Sequence, residues 1–599
     1  MSHTLINHLL VEMKNTATQD RFFEKKGAEW HAYNGQTIIE RVHQLERGLA
    51  ALGYRSGDYL AIQSSNCLRW ILSDYAIAAL GGVSVSIYPS LPADQIAYIV
   101  KHSEVRLAFA EDVSQVEKLL SIIDDAPMLD QIVCFDDEAT FADKRVLSFQ
   151  KLMDRGQENS NESSLQEMED RIAATPADNA HTLLYTSGTT GVPKGVSLSS
   201  TNLLANVEGC HDANPIERGD RFLSFLPLSH IFERTGQYYA ILGGGNIYFC
   251  GDMTQVAKYL PEVNPMVMFA VPRFFEKIYA GVMDKFESGS ALKRKIASWA
   301  LKVGYAYEAA EQTGEISAGL RRKRALADKL VFSKVRDRLG NSLKHFICGG
   351  APLSRKIAEF FKMIGVTILE GYGLTECSPV VSGNQYRAPR VGTSGPLLFN
   401  VEVSFGPDQE ILVKGDSVFK GYFKEPEANA ASFDAEGWFH TGDLGALEDG
   451  HLRITGRKKN IIITSGGKNV MPTPLEDALE IHPHVDQVIA VGNQRKFISA
   501  LIVPSFDKLQ EWADKRSLSW SSMEELISFR EVQDHFQELV EKSMEGFARY
   551  EQIKKFIVLH TPFSIEDGTL TPKLSIRREQ IEERYQYLID ALYRTDPAI

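Results

Sequence analysis

The segment Tyr185-Thr186-Ser187-Gly188-Thr189-Thr190-Gly191-Val192-Pro193-Lys194-Gly195 sets four hydroxyls, three glycines and a lysine in a turn after an apolar strand-like run. Glycines let backbone N–H groups approach an anion, hydroxyls donate further hydrogen bonds and lysine supplies charge, so phosphate is the natural guest. The ordinary nucleotide loop, G-x-x-x-x-G-K-[ST], does not fit. Aligned on Lys194, its second glycine falls on Pro193 and its Ser/Thr on Gly195. A flexible surface turn is the competing reading, but linkers rarely order these residues so tightly between apolar strands.

Further short runs follow in order: Gly349-Gly350-Ala351-Pro352, Gly371-Tyr372-Gly373-Leu374-Thr375-Glu376, Glu436-Gly437-Trp438-Phe439-His440-Thr441-Gly442-Asp443 and Gly456-Arg457-Lys458-Lys459. With the loop, they resemble the AMP-forming acyl-CoA synthetase (adenylate-forming) superfamily. Pro227-Leu228-Ser229-His230-Ile231-Phe232-Glu233-Arg234 and Val271-Pro272-Arg273-Phe274-Phe275-Glu276 are similar to its long-chain fatty-acid CoA ligase branch.

The resemblance implies activation of a fatty acid with ATP and Mg2+ to acyl-AMP, then transfer to coenzyme A. It places Thr186, Ser187, Gly188, Thr189, Thr190, Gly191 and Lys194 on the phosphates. Gly350, Ala351, Pro352, Tyr372 and Gly373 go to the adenine pocket, with Thr375 on the phosphates and Glu376 and Thr186 at the metal. Asp443 and Arg457 go to the ribose, His230 beside the reacting carboxylate, Lys459 at a hinge, and Gly466 and Gly467 along the pantetheine path. A magnesium site of one carboxylate plus phosphate oxygens agrees with that ion's coordination habits. Glu436 stands where the family often has aspartate.

One departure touches the chemistry itself. Against the family's L-T-P-T-x-K-x-[KR]-R, this chain reads Leu570-Thr571-Pro572-Lys573-Leu574-Ser575-Ile576-Arg577-Arg578, so Ser575 occupies the catalytic lysine's place and Lys573 lies two residues early. In an extended segment that offset keeps the side chain on one face, displaced by roughly 6.6 Å. Lys573 is the candidate catalytic lysine; the alternatives are another base or impaired adenylation. A fatty acyl-AMP ligase loading a carrier protein, or a non-catalytic nucleotide- or acyl-binding relative, stand as rival functions.

The elements that must hold these motifs alternate short β-branched runs with amphipathic stretches: 59–63, 68–80, 83–88, 93–102 and 105–110, then strand-like runs at 221–226, 246–250, 266–270, 345–348 and 366–369. This rhythm predicts an α/β N-terminal domain of layered sheets and helices over 1–456 and a smaller, mobile α+β C-terminal domain over 457–599. A length of 599 residues calls for more than one core. The polar stretch 154–182 reads as a surface connection. Segment 281–340 reads as helical and carries 13 Lys plus Arg against 7 Asp plus Glu in a chain of net charge -13. Two readings fit it: a solvated hairpin, or a basic face for anionic lipid or CoA phosphate.

The acidic balance argues against nucleic acid as partner. Six scattered cysteines without C-x-x-C spacing suggest reduced thiols and a cytoplasmic setting. The most apolar stretch is shorter than the ~20 residues of a membrane span, so any membrane contact should be peripheral.

Overall fold

The computed structural model describes residues 4–186, 192–564, 566–571 and 576–594. The chain divides into two compact units. One comprises 1–404, 412–441 and 447–453, and the other 405–411, 442–446 and 454–599.

The first unit contains two large sheets. In one, strands run in the order Val146–Ser148, Gln131–Cys134, Leu107–Ala110, Tyr59–Gln63, Val83–Ile87, Ala180–Thr186 and Lys194–Ser199. All neighbours are parallel except the last pair, an antiparallel hairpin. The other has eight strands, with Ile368–Gly373, His345–Cys348, Val267–Ala270, Arg221–Ser224, Asn246–Phe249 and Asp20–Lys26 as its parallel run. The predicted strands and helices recur here with ends moved by at most two residues, except that the strand expected over 366–369 runs Ile368–Gly373 and so ends four residues later. Val83–Ile87 is buried at every position, as a parallel strand covered on both faces must be.

Helix Leu68–Leu80 is buried around its whole circumference, and a charge inside it needs a partner. Asp74 forms an ion pair with Arg234 of helix Ile231–Leu242, both fully enclosed. The guanidinium also donates to Tyr238 Oη at 2.7 Å, Ser86 Oγ at 3.2 Å, Ser84 Oγ at 2.7 Å and Thr182 Oγ1. Its five N–H donors are thus all used. Tyr238 passes its own proton to Asp74 Oδ2 at 2.8 Å, and the Trp70 ring lies 5.2 Å from the guanidinium.

The stretch 154–182 is more ordered than its polarity suggests. Helix Phe149–Glu158 starts at a Ser148 cap, and helix Glu162–Ala174 starts at a reciprocal Asn161/Ser164 capping box. Phe149, Leu152, Met153, Met168 and Ile172 are the buried anchors. These few apolar side chains at helical spacing suffice because the caps satisfy the end donors. Segment 281–340 is helical as expected: Pro272–Glu287 runs into it, followed by Ala291–Thr313, Ala318–Ala327 and Ser333–Leu339.

In the second unit, strands Val485–Val491, Ile498–Pro504 and Ile553–Val558 form a sheet buried on both faces. Val488, Ala500 and Ile502 face Trp512, Phe536 and Leu539; Ile489, Leu501 and Val503 face Leu559, Phe563 and Ile581. The helical stretch 523–543 breaks at Phe529, whose ψ of 138° is extended, giving Met523–Ser528 and Arg530–Ser543. His484 Nδ1 meets His535 Nε2 at 2.6 Å beside Trp512 and His482, with Arg516, Lys508 and Glu538 as the charged neighbours. Burial first, then the cationic neighbours, push His484 down to about 3.

Two stability outcomes follow from these buried groups. Arg234→Met should lower the unfolding free energy by about 3–5 kcal/mol, because it strands a buried carboxylate. In urea titrations, Asp74→Asn combined with Arg234→Met should cost less than the sum of the singles. His484 is neutral when folded but has an ordinary value of 6.5, so its contribution is complete above that pH and is lost as pH falls toward 3. Discounted for partial exposure, the loss at pH 5 is about 1 kcal/mol. It should disappear in His484→Asn.

Candidate active site

In the first unit the phosphate-loop candidate is framed by the hairpin Ala180–Thr186 and Lys194–Ser199, whose register places Thr186 opposite Lys194. Ser187, Gly188, Thr189, Thr190 and Gly191 lie outside the described residues. Lys194 Nζ sits 5.0 Å from the centroid of the Tyr422 ring. No carboxylate pairs with this ammonium among the described residues. The Tyr422 hydroxyl donates to Glu376 Oε1 at 2.9 Å. Burial, followed by the Glu376 charge, raises the tyrosine's pKa, so it stays a donor. One ring therefore gathers the lysine and the glutamate.

Tyr422 is held by the backbone on both sides. Phe423 N donates to Gly195 O at 2.7 Å, and Val196 bridges Tyr422 in antiparallel fashion. The Thr375–Cys377 turn is fixed by Leu374 N to Pro379 O at 2.9 Å and by Phe419 N to Glu376 O at 2.8 Å. Gly373 is required just before it, since a Cβ there would lie 1.9 Å from Pro379 O.

The remaining first-unit candidates sit at the carboxyl ends of neighbouring parallel strands, where open α/β sheets present their sites. Gly350, Ala351 and Pro352 form an exposed turn after His345–Cys348, and Tyr372 and Gly373 end the adjacent strand, paired through Cys348 and Glu370. His230 caps helix Ile231–Leu242, its Nδ1 accepting from Phe232 N at 3.0 Å. The Phe232 ring lies against Gly349, where a Cβ would stand 3.3 Å from Cζ.

Two groups at this edge escaped the sequence reading besides Tyr422. Glu370 is pushed up to about 7 by burial and accepts from Gly392 N at 3.2 Å. Glu233 is pushed up to about 8 by burial, and its Oε2 has no hydrogen-bond partner. Glu233 lay inside a quoted motif, but burial is invisible in a sequence. Tyr422 carried no signal at all, being 228 positions after the lysine it supports.

In the second unit Arg457 Nε holds buried Asp443 Oδ1 at 2.7 Å. Gly442 N donates to Glu410 Oε1 at 2.9 Å, and Lys458 pairs with Glu410 at 3.2 Å and with Asp408. Lys459 follows in the same 3-10 turn. Gly466 and Gly467 form the tip between strands Ile462–Ile463 and Asn469–Val470, with Gly467 at φ +72° and its N–H on Thr464 O at 2.8 Å. Lys573 and Ser575 lie outside the described residues. Their flanks are anchored by the Leu570–Ile576 bridge and by Arg578, which pairs with Glu476 at 2.6 Å.

Among the described residues no group of three or more His, Cys, Asp or Glu could hold a metal ion. Thr186 and Glu376 supply one hydroxyl and one carboxylate, with Tyr422 the hydrogen-bond partner of Glu376 Oε1. Such a donor set suits Mg2+ only when the guest's phosphate oxygens complete the shell.

The family model described as AMP-binding enzyme matches residues 12–423, and that described as AMP-binding enzyme C-terminal domain matches 459–597. A long-chain-fatty-acid–CoA ligase, FadD15, of Mycobacterium bovis is 34% identical over 567 residues, covering 94% of this chain and 92% of the relative. Fatty acyl-CoA synthetase A of Dictyostelium discoideum is 33% identical over 600 residues, covering 94% and 86%. Among solved structures, the adenylation domain of a carboxylate reductase from Mycobacterium chelonae superposes with TM-score 0.77 at 22% identity, covering 98% of this chain and 91% of that one. The anthranilate CoA ligase AuaEII with anthranoyl-AMP gives 0.73 at 18% identity, covering 99% of each chain.

Tyr422 gives a direct test of this geometry. Tyr422→Phe keeps the ring and removes the hydroxyl, and should weaken ATP–Mg2+ binding about 10- to 100-fold, the worth of one hydrogen bond to a charged group. Tyr422→Ala also removes the lysine's platform and should weaken it further. Calorimetric titration of each variant reads both.

Proposed function

We propose, since the chain belongs to the AMP-binding enzyme family, that it joins a long-chain fatty acid to coenzyme A at the expense of ATP. The carrying observation is the pairing of Lys194 and Glu376 on Tyr422 at the mouth of a Ser/Thr/Gly loop. It offers a cation without a carboxylate partner and an anion suited to a phosphate-bound metal.

In the first step a fatty carboxylate oxygen attacks the α-phosphorus of ATP, forming acyl-AMP as the bond to pyrophosphate breaks. A carboxylate is a weak nucleophile, so the rate must come from positioning and from charge neutralisation. Lys194 and the hydroxyl-rich loop neutralise the phosphates. Mg2+, held by Glu376 and Thr186 with the phosphates, would spread the charge of the departing pyrophosphate. Tyr372 and the 350–352 turn take the adenine, and Asp443, oriented by Arg457, takes the ribose hydroxyls, since one carboxylate can accept both. His230 stands beside the carboxylate. Lys573 bridges it to the α-phosphate.

In the second step the CoA thiolate attacks the acyl carbon and AMP leaves. The lid then turns about Lys459, exchanging the Lys573 segment for the Gly466–Gly467 tip, so that one site serves both reactions. The relatives named as fatty-acid CoA ligases support the acyl substrate and the acceptor. No described helix is long and apolar enough to cross a membrane. A cytoplasmic enzyme meeting its substrate at a membrane surface is consistent with that.

Fatty-acid-dependent exchange of labelled pyrophosphate into ATP tests the reading. Wild type should exchange, Lys573→Ala should lose at least about 100-fold as an electrostatic contact to the transition state is removed, and Ser575→Ala should stay near wild type. Absence of exchange with fatty acids of every length would overturn the activity. Equal exchange in both variants would remove Lys573 from its role.

A further inference from the structure

The acidic chain carries one stretch of opposite sign that the ligase chemistry does not use. From 291 to 307 the sequence has four basic residues, Lys293, Arg294, Lys295 and Lys302, and no acidic one. Helix Ala291–Thr313 buries Ala297, Ala300, Val303 and Gly304, and so turns the opposite side outward. At 100° per residue, Ala291, Arg294, Lys295, Ser298 and Lys302 fall on that outward side, with Trp299 at its margin. They line an open groove of about 500 Å3. Leu292 is 68% exposed and Tyr305 41% exposed along the same helix.

The neighbouring carboxylates are occupied elsewhere. Glu308 and Glu311 pair with Lys362 at 2.8 and 3.3 Å, and Asp328 pairs with Arg336 at 2.7 Å. Arg294, Lys295 and Lys302 have no ion-pair partner among the described residues. The packed helix Ala318–Ala327 adds exposed Arg321, Arg322 and Lys323 and a Leu326 that is 49% exposed. Arg324 of the same cluster turns inward instead, onto Met363 O at 2.7 Å and the Phe332 ring.

We propose that the outward face of helix Ala291–Thr313 docks the protein on an anionic phospholipid bilayer. Three unpaired cations attract the headgroup phosphates, while Trp299 and Leu292, one amphipathic and one apolar, settle at headgroup depth. Charge complementarity selects the occupant. A chain of net charge -13 is repelled by such a surface on the whole, and this helix instead offers clustered cations with no acidic residue between 291 and 307. A long-chain fatty acid dissolves in bilayers, so this contact delivers substrate; only that usefulness, not the docking itself, rests on the ligase reading.

Co-sedimentation of the full chain with phosphatidylglycerol vesicles, against phosphatidylcholine vesicles, tests the face. Binding should require phosphatidylglycerol, vanish at high salt and survive saturating free CoA. Arg294→Gln/Lys295→Gln/Lys302→Gln should weaken it about 100-fold, at the usual value of a basic residue near an anionic surface. Lys302→Gln alone should give a smaller loss, so the test stands even if the triple variant misfolds. Pyrophosphate exchange without vesicles should be unchanged in both variants. Equal binding to both vesicle types, no binding at low salt, full competition by CoA, or wild-type binding by the folded variants would overturn the docking face. Failure of exchange in wild type would overturn the activity while leaving the vesicle result readable.

Discussion

The Arg234–Asp74 pair is the constraint from which the first unit's site takes its position. A guanidinium sealed from water is tolerable only with every donor satisfied, and its partners come from helix Leu68–Leu80, strand Val83–Ile87, strand Ala180–Thr186 and its own helix. Two of these elements lead directly into the chemistry. Strand Ala180–Thr186 ends at the phosphate loop, and helix Ile231–Leu242 begins at His230, four residues before the arginine. A shift of either element would break several charge-assisted bonds at once, so the strand ending at Thr186 and the helix beginning after His230 are held in register by this network.

Much of this was legible in the sequence because it is local. Alternating apolar runs marked the parallel strands, and the order of glycines and hydroxyls marked the connection in the antiparallel hairpin of Ala180–Thr186 and Lys194–Ser199. The capped helices at 149–174 were obscured because few residues, Phe149, Leu152, Met153, Met168 and Ile172, form the buried apolar face, and capping by Asn161 and Ser164 reads as loop chemistry until the helix is seen. Tyr422, Glu370 and the Arg234 network depend on contacts between residues far apart in sequence or on burial, and neither leaves a periodic trace. Arg234 was quoted inside a motif, yet nothing in the motif revealed that it faces Asp74 across 160 positions.

Lys194 and Glu376 are supported by an aromatic residue for a reason of charge. A carboxylate beside Lys194 would neutralise it and compete with an incoming phosphate. A tyrosine face holds the ammonium without neutralising it, while its hydroxyl orients Glu376. The raised tyrosine pKa keeps that proton in place, so orientation persists as charge enters the site.

Charge placement follows one rule at both surfaces where an anion is to be met. Buried cations are matched: Arg234 to Asp74, Arg21 to Glu12, Arg578 to Glu476. Among the described residues, Lys194 and the trio Arg294, Lys295 and Lys302 have no carboxylate partner, although the chain has a surplus of acids. The acids on the trio's own helix are engaged elsewhere, Glu308 and Glu311 by Lys362. Leaving a cation unmatched costs little in water, and it makes that position the one an anion can occupy without first displacing a resident partner.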